Sequence, residues 1–284
     1  MNKLLPNDAG LIIESPIDST ELLKLIQKNP AIIVKDFAPS LEEFFSFTEK
    51  LNLNFIDYRG GAFHRQEVNK VPTLMTVTGH EKGFPIPLHG ELYYQKDQPD
   101  FLFFYCVSPA LLGGSTTVAN AVSFYNSLPQ ETKQFLQNNS LKYIRKLTVL
   151  DWKKVYKTED KNEVKKICDG LGVQSHFDEQ ETLITEYISS ASYESKDAQT
   201  AFLNNILPNY YLQKAGRKEA GIQTADGKEL PSTIIASIEK VAKALSVKAR
   251  LKKGDLLVVN NRAALHGRTA FIGKRQIFLR MGNL

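Results

Sequence analysis

The sequence predicts an α+β fold in which strands dominate, laid out as a jelly-roll sandwich with helical additions and one long insertion. Three observations point there. FLFFYCVS (101–108) is the most apolar run of the chain and reads as a buried strand. LLGGSTTVANA follows it as a Gly-Gly turn into a second strand. Two further apolar strands, in LKKGDLLVVNN (251–261) and RQIFLRMGNL (275–284), close the chain. Short strands with Gly turns, interrupted by helices, are compatible with a jelly roll. Periodicity by itself does not separate this from other α+β layouts.

The elements follow in order. Ser19-Thr20-Glu21 precedes LLKLIQK and supplies a helix N-cap. AIIVKDF (31–37) is a short β-branched strand. Ser40 before LEEFFSFTEKL, with Glu43 three residues on, has the form of a capping box. Gly and Pro punctuate residues 60–90, which predicts loops and short strands. Asn120-Ala-Val-Ser-Phe-Tyr and LPQETKQFLQN read as helices after the 101–119 strands. Residues from about 140 to 235 are mixed, polar and aromatic, with LKYIRKL, a charged segment around 156–170 and a helix-like stretch near 197–206. Structureless stretches of that length usually serve function, so this segment is expected to be a lid-like insertion that covers something. STIIASIEKVAKALSVKA (232–249) is an amphipathic helix.

The chain has 284 residues, a length that permits two domains or one large domain with insertions. With 42% hydrophobic and 24% charged residues it is neither disordered nor fibrous. The net charge of +5 is dispersed, and Lys153-Lys154 and Lys252-Lys253 are pairs rather than tracts, so no nucleic-acid partner is expected. A mild basic excess suits an anionic small molecule. No apolar run is long enough to span a bilayer, and MNKLLPNDAGLIIESP lacks the unbroken apolar region of an export signal. Cys106 and Cys168 lie in no CxxC or Cys/His cluster, so a cytoplasmic protein without a disulfide framework is expected.

Two of the five histidines stand in chemically suggestive places. His89 precedes Glu91 by two residues, and in an extended segment such residues point to one side. His266 follows the apolar strand of DLLVVNNRAALHGR and can bring a third ligand from across a sandwich. Two His and one carboxylate leave three octahedral positions open, as in non-haem Fe(II) oxygenases. An HxE pair by itself also arises when a histidine merely sits beside an unrelated acid. His64 and Arg65 lie in a Gly-rich loop, and His80 and His176 carry no pattern. Arg275 and Arg280 flank the terminal strand, and either planar fork suits a buried carboxylate, although an edge strand with solvated charges looks the same. Gly113-Gly114-Ser115-Thr116 offers a hydroxyl beside a tight turn, or is simply a hairpin.

Taken together, LHGELYYQ, PDFLFFYCVSPALLGGSTTVANA and GDLLVVNNRAALHGRTAFIGKRQIFLRM resemble the TauD/TfdA superfamily of Fe(II)- and 2-oxoglutarate-dependent dioxygenases. The likeness is greatest to its clavaminate-synthase-like branch and to SyrP-like hydroxylases, over roughly residues 55–284. It implies a double-stranded β-helix (jelly-roll) core in one domain, 1–284, with the insertion at about 140–235. It implies iron on His89, Glu91 and His266. Thr116 and an arginine would hold the distal carboxylate of 2-oxoglutarate, Arg275 first, with Arg280 competing because register decides which side chain points inward. AFLNNILP resembles a segment near the family's active site, which suggests Asn204 on the substrate side. The Gly-rich loop around His64 offers Arg65 as a second, separate substrate-side candidate. Two departures, Gly90 where many relatives have Asn and Asn260-Asn261 where many have Asp-Asn, touch the surroundings of the ligands rather than the ligands.

The cofactors implied are Fe(II), 2-oxoglutarate and O2. The reaction implied is oxidation of a C–H bond of a small amino-acid-like metabolite, free or tethered to a carrier protein, in natural-product biosynthesis. Family halogenases replace the acid by Gly or Ala, so Glu91 argues for hydroxylation or a related oxidation. A catalytically silent metabolite-binding jelly roll and a zinc hydrolase are the competing classes. The intact ligand set opposes the first, and the absence of HExxH opposes the second.

Overall fold

The strand Phe101–Ser108 shows why its sequence is an unbroken apolar run: Phe101 to Cys106 are all buried, and both faces are covered. The structure, a computed structural model, describes residues 3–61, 65–77, 84–195 and 197–284. Leu102, Phe104 and Cys106 enter one core, and Phe101, Phe103 and Tyr105 enter another. Its neighbours Leu256–Asn260 and Gln276–Asn283 pair with it antiparallel and alternate the same way. Leu257, Val259, Leu279 and Met281 face the first core, while Leu256, Val258 and Phe278 face the second. Each such aromatic or branched side chain contributes roughly 1.5–3 kcal/mol on burial.

Among the described residues, nine strands join this sheet. Lys3–Leu4, Leu11–Ile13 and Ala31–Val34 extend it beyond Leu256–Asn260, and Val71–Thr76 and Glu67–Val68 extend it beyond Gln276–Asn283, with Asn54–Phe55 also on that last strand. The helices Ser19–Ile26 and Leu41–Glu49 cover its outer face with Leu22, Ile26 and Phe44. A second, antiparallel sheet runs Val247–Ala249, Thr116–Asn120, Ala264–Arg268, Ile86–His89. Its Leu88 and Val118 share the inner core with Leu102, Phe104 and Leu257 of the first sheet.

The 140–235 segment, expected to be mixed with one helix-like stretch, is regular through most of its length. Leu141–Leu147 and Leu183–Ser189 pair along their whole length, flanked by Gln174–Phe177 and Gly221–Thr224. Helices Val149–Tyr156 and Lys161–Gly170 add Trp152, Val155, Tyr156, Val164 and Cys168 to Leu147 and Leu183 in a core of their own. The helix expected near 197–206 starts only at Ile206, because Thr200–Ala201 pairs with Tyr193–Glu194. Asn204 Oδ1 accepts from Ile206 N, and Pro208 sits in the first turn, where no N–H is needed. The first helix is capped by Asp18 rather than Ser19, Asp18 Oδ1 accepting from Glu21 N, whereas Ser40 caps the second as expected. No helix among the described residues is long and apolar enough to cross a membrane.

Candidate metal centre

His89 is the last residue of Ile86–His89 and His266 the middle residue of Ala264–Arg268. The two are cross-strand partners, and their ring centroids lie 4.3 Å apart. His266 faces inward onto Phe104, with ring centroids 5.6 Å apart. Glu91 arrives by a different route from the strand alternation expected of HxE, because the strand ends at His89 and Glu91 lies in the following turn. Buried Asn261 fixes that turn: its Oδ1 accepts from Glu91 N at 2.8 Å, and its Nδ2 donates to Glu91 O at 3.1 Å and to Pro99 O at 2.9 Å. Gly90 N donates to Asn204 O at 3.0 Å. Gly90 is required because a Cβ there would stand 2.4 Å from the Tyr93 ring, whose hydroxyl donates to Asn261 O. A ligand atom from each of His89, Glu91 and His266 then lies within 4.8 Å of the others.

The electrostatics suit a cation. Burial first, and His266 second, push the His89 imidazole down to about 4, so it is neutral at ordinary pH. Its Nδ1 is 2.9 Å from Pro87 O, a carbonyl that only accepts, so Nδ1 carries the proton and Nε2 keeps its lone pair. Burial alone would raise the Glu91 carboxyl, but Arg65 and the hydrogen bond from His266 outweigh it and hold Glu91 below the usual carboxylate range. His266 Nε2 is 3.3 Å from Glu91 Oε2, and its buried Nδ1 makes no hydrogen bond among the described residues. A neutral imidazole, an ionised carboxylate and a second imidazole with an unpartnered nitrogen form a donor set that fits a divalent metal of the iron type.

Beside this cluster lies a basic site. Thr116 and Val118 are the cross-strand partners of Arg268 and His266, so Thr116 shares the inward face with His266. Arg275 Nη2 donates to Thr116 Oγ1 at 3.2 Å and its Nε to Gly114 O at 2.9 Å. Gly113 and Gly114 have φ of 73° and 67°, and a Cβ on Gly114 would press on Arg275 Cδ at 3.1 Å. Burial, and then Arg268, push the Arg275 guanidinium down to about 10. Arg268, which sequence reasoning missed although it stands two residues after His266 in the same strand, lies over the Phe271 ring and donates to Phe84 O.

The remaining expected residues are placed differently. Arg280 is not brought to the cluster. It lies two residues from Phe278, on the outer face of its strand, where its guanidinium sits 3.6 Å from the Phe55 ring centroid and bonds Glu49 and Thr48 Oγ1, both at 2.7 Å. Asn204 is buried and braces local backbone: Nδ2 donates to Ala191 O and Oδ1 accepts from Ile206 N. Arg65 does reach the site: Nη2 donates to Glu91 Oε1 at 2.9 Å, and the guanidinium lies 4.5 Å from the Tyr58 ring centroid. Of the insertion's aromatic and basic groups, Tyr143, Arg145 and Tyr187 line one small cavity with Tyr94 and Gln95, while Trp152 belongs to the insertion's own core. His176 is exposed on Gln174–Phe177, and His64 and His80 lie outside the described residues.

Residues 7–281 match the family described as taurine catabolism dioxygenase TauD, TfdA family, and the chain belongs to it. Among curated relatives it is similar to a clavaminate synthase-like protein of Arabidopsis thaliana, 25% identical across 89% of this chain and 81% of that one. It is also similar to the dapdiamide synthesis protein DdaC of Enterobacter agglomerans, 22% identical across 92% and 83%. Among solved structures it shares its fold with PvcB of Pseudomonas aeruginosa, an Fe, α-ketoglutarate-dependent oxygenase from an isonitrile synthetic pathway, at 13% identity, 98% and 87% coverage and a TM-score of 0.62. A taurine dioxygenase from Burkholderia xenovorans gives 12% identity, 100% and 90% coverage and a TM-score of 0.60.

Proposed function

We propose that this chain is an Fe(II)- and 2-oxoglutarate-dependent oxygenase that hydroxylates a C–H bond of a small amino-acid-like metabolite, free or carrier-tethered, in natural-product biosynthesis. The observation that carries the reading is the gathering of half-buried His89 with buried Glu91 and His266, and Arg275 and Thr116 beside them. The two facing sheets serve as the double-stranded β-helix, in a single domain, 1–284, whose 140–235 insertion covers the pocket. The names of DdaC and PvcB support a biosynthetic setting. A cytoplasmic location is part of the same reading.

His89, Glu91 and His266 would hold Fe(II), and the bound metal with 2-oxoglutarate and O2 would supply oxidative decarboxylation to succinate and CO2 coupled to C–H oxidation. The chain's own residues orient and shield. Arg275 takes the distal carboxylate with its planar fork, and Thr116 adds a hydroxyl donor. Asn261 fixes the turn that aims Glu91. Arg65 Nη1, buried without a partner among the described residues, offers a donor to an acceptor on the prime substrate. Buried Tyr93 and Tyr94 wall the Glu91 turn and exclude water.

The test is succinate formation with iron, ascorbate and 2-oxoglutarate, alongside intact-mass screening of candidate amino-acid-like metabolites. A substrate-dependent rise in succinate with a gain of one oxygen atom supports the reading. No succinate under any substrate, despite metal binding, would support a silent binding protein.

A further inference from the structure

We infer that Arg65 is the positioning residue that restricts Glu91 to a single metal-binding oxygen, keeping open the coordination position that a chelating carboxylate would take. The inference rests on the metal reading above and adds a role for a residue outside the ligand set.

The two oxygens of Glu91 have different neighbours. Oε1 accepts from Arg65 Nη2 at 2.9 Å, while Oε2 lies 3.3 Å from His266 Nε2. A carboxylate has about four lone-pair sites and readily binds a cation through both oxygens. A charge-assisted bond from a guanidinium on Oε1 competes with that second metal contact. It leaves Oε2 as the oxygen turned toward the imidazoles. Two imidazoles and one oxygen leave three octahedral positions, and a bidentate Glu91 would leave two. A two-point chelating cosubstrate and a third small ligand need all three.

Arg65 is held in place by the chain itself. Its guanidinium rests on the Tyr58 ring. The residues that flank Tyr58 are tied to the insertion: Arg145 donates to Gly60 O at 2.7 Å and Gly61 O at 2.6 Å, and Gly60 N donates to Val155 O. Lys157 bridges Asp57 and Glu67, each at 2.6 Å. An arginine on a mobile loop would swing away or follow the carboxylate onto the metal. One anchored on both sides of its position fixes Oε1 from outside.

The experiment uses the full chain loaded with Mn(II) or Co(II) without oxygen, comparing the parent with Arg65→Met and Arg65→Lys. The infrared difference between metal-free and Mn(II)-loaded protein reads the spacing of the two carboxylate stretches, wide for one-oxygen binding and narrow for two. The parent and Arg65→Lys should show the wide spacing, and Arg65→Met the narrow one. Co(II) absorption should change in Arg65→Met alone. Its 2-oxoglutarate affinity should fall about 10–100-fold, as for other partners of metal ligands. Lysine, with one donor for Oε1, should restore most of it. A narrow spacing in the parent overturns the inference, and needs no variant that folds. So does an Arg65→Met protein indistinguishable from the parent in spectrum and 2-oxoglutarate affinity. A parent that binds no metal, or binds it unchanged after His266→Ala, defeats the metal reading itself, a different result from either of these.

Discussion

Replacing Arg275 and Arg280 one at a time should separate cosubstrate binding from stability. Arg275→Ala removes a buried guanidinium from Thr116 Oγ1 and Gly114 O and leaves a bound carboxylate without its fork. Loss of one member of a buried charge-assisted pair costs about 3–5 kcal/mol. At about 1.4 kcal/mol per tenfold, the 2-oxoglutarate requirement should rise roughly a hundredfold to several thousandfold. Arg280→Ala acts elsewhere. Its partner Glu49 is half exposed, so that ion pair contributes at most about 1 kcal/mol. The packing over Phe45 and Phe55 and the bond to Thr48 add roughly 2 kcal/mol. At about 2–4 °C per kcal/mol, the melting temperature should fall by roughly 5–10 °C, with 2-oxoglutarate affinity unchanged. Succinate production against 2-oxoglutarate concentration and thermal melting of both variants measure the split. If Arg280→Ala raised the 2-oxoglutarate requirement and Arg275→Ala did not, the placement of these side chains on opposite faces would be refuted.

Glu91→Ala should abolish both hydroxylation and the stabilisation that Mn(II) gives the parent, which at a hundred times Kd is about 2.7 kcal/mol and is read as a melting shift reversed by a chelator. A variant that keeps the shift would remove Glu91 from the ligand set. Asn261→Ala strips three buried hydrogen bonds, two of them to the Glu91 backbone, and should weaken metal binding about tenfold or more by competition titration. Gly90→Ala should weaken it too, and Gly90→Ala with Tyr93→Leu should recover part of the loss, since the clash is with the Tyr93 ring; no recovery would place the cause in the backbone. Hydrogen exchange in Leu141–Leu147 and Leu183–Ser189 should be slow with and without iron, 2-oxoglutarate and substrate, because these strands pair along their length. Strong ligand-dependent protection there would mark the insertion as a closing lid.

Much of the fold was legible because single residues report burial on both faces. FLFFYCVS is apolar throughout since two cores claim alternate side chains, and its strand bounds match the sequence expectation. The gathering of His89, Glu91 and His266 was legible because HxE and HGR carry uncommon donors at fixed spacing. The choice between Arg275 and Arg280 was not, since it depends on register, which pairing partners fix and sequence does not display. The insertion's sheet was hidden because its inward positions include Tyr143 and Arg145, so alternation in LKYIRKL does not read as apolar against polar. Asn261 was passed over as a departure in an Asn-Asn pair, although its amide joins a turn 170 residues away.

The placement of Arg145 gives that hidden sheet a physical reason. A guanidinium buried on a strand is costly unless its donors are satisfied, and two of them are, by the carbonyls of Gly60 and Gly61. Glycines at these positions let the backbone come close: a Cβ on Gly61 would stand 1.8 Å from the Tyr58 ring on which Arg65 rests. The chain of contacts therefore runs from the insertion sheet through Arg145 to Gly60 and Gly61, and from the Tyr58 ring beneath Gly61 through Arg65 to Glu91. A disordered cover could shield a pocket from water, but it could not hold an arginine at 2.9 Å from one oxygen of a buried carboxylate. Positioning at that scale requires rigid support, and a sheet with its own core around Trp152 supplies it.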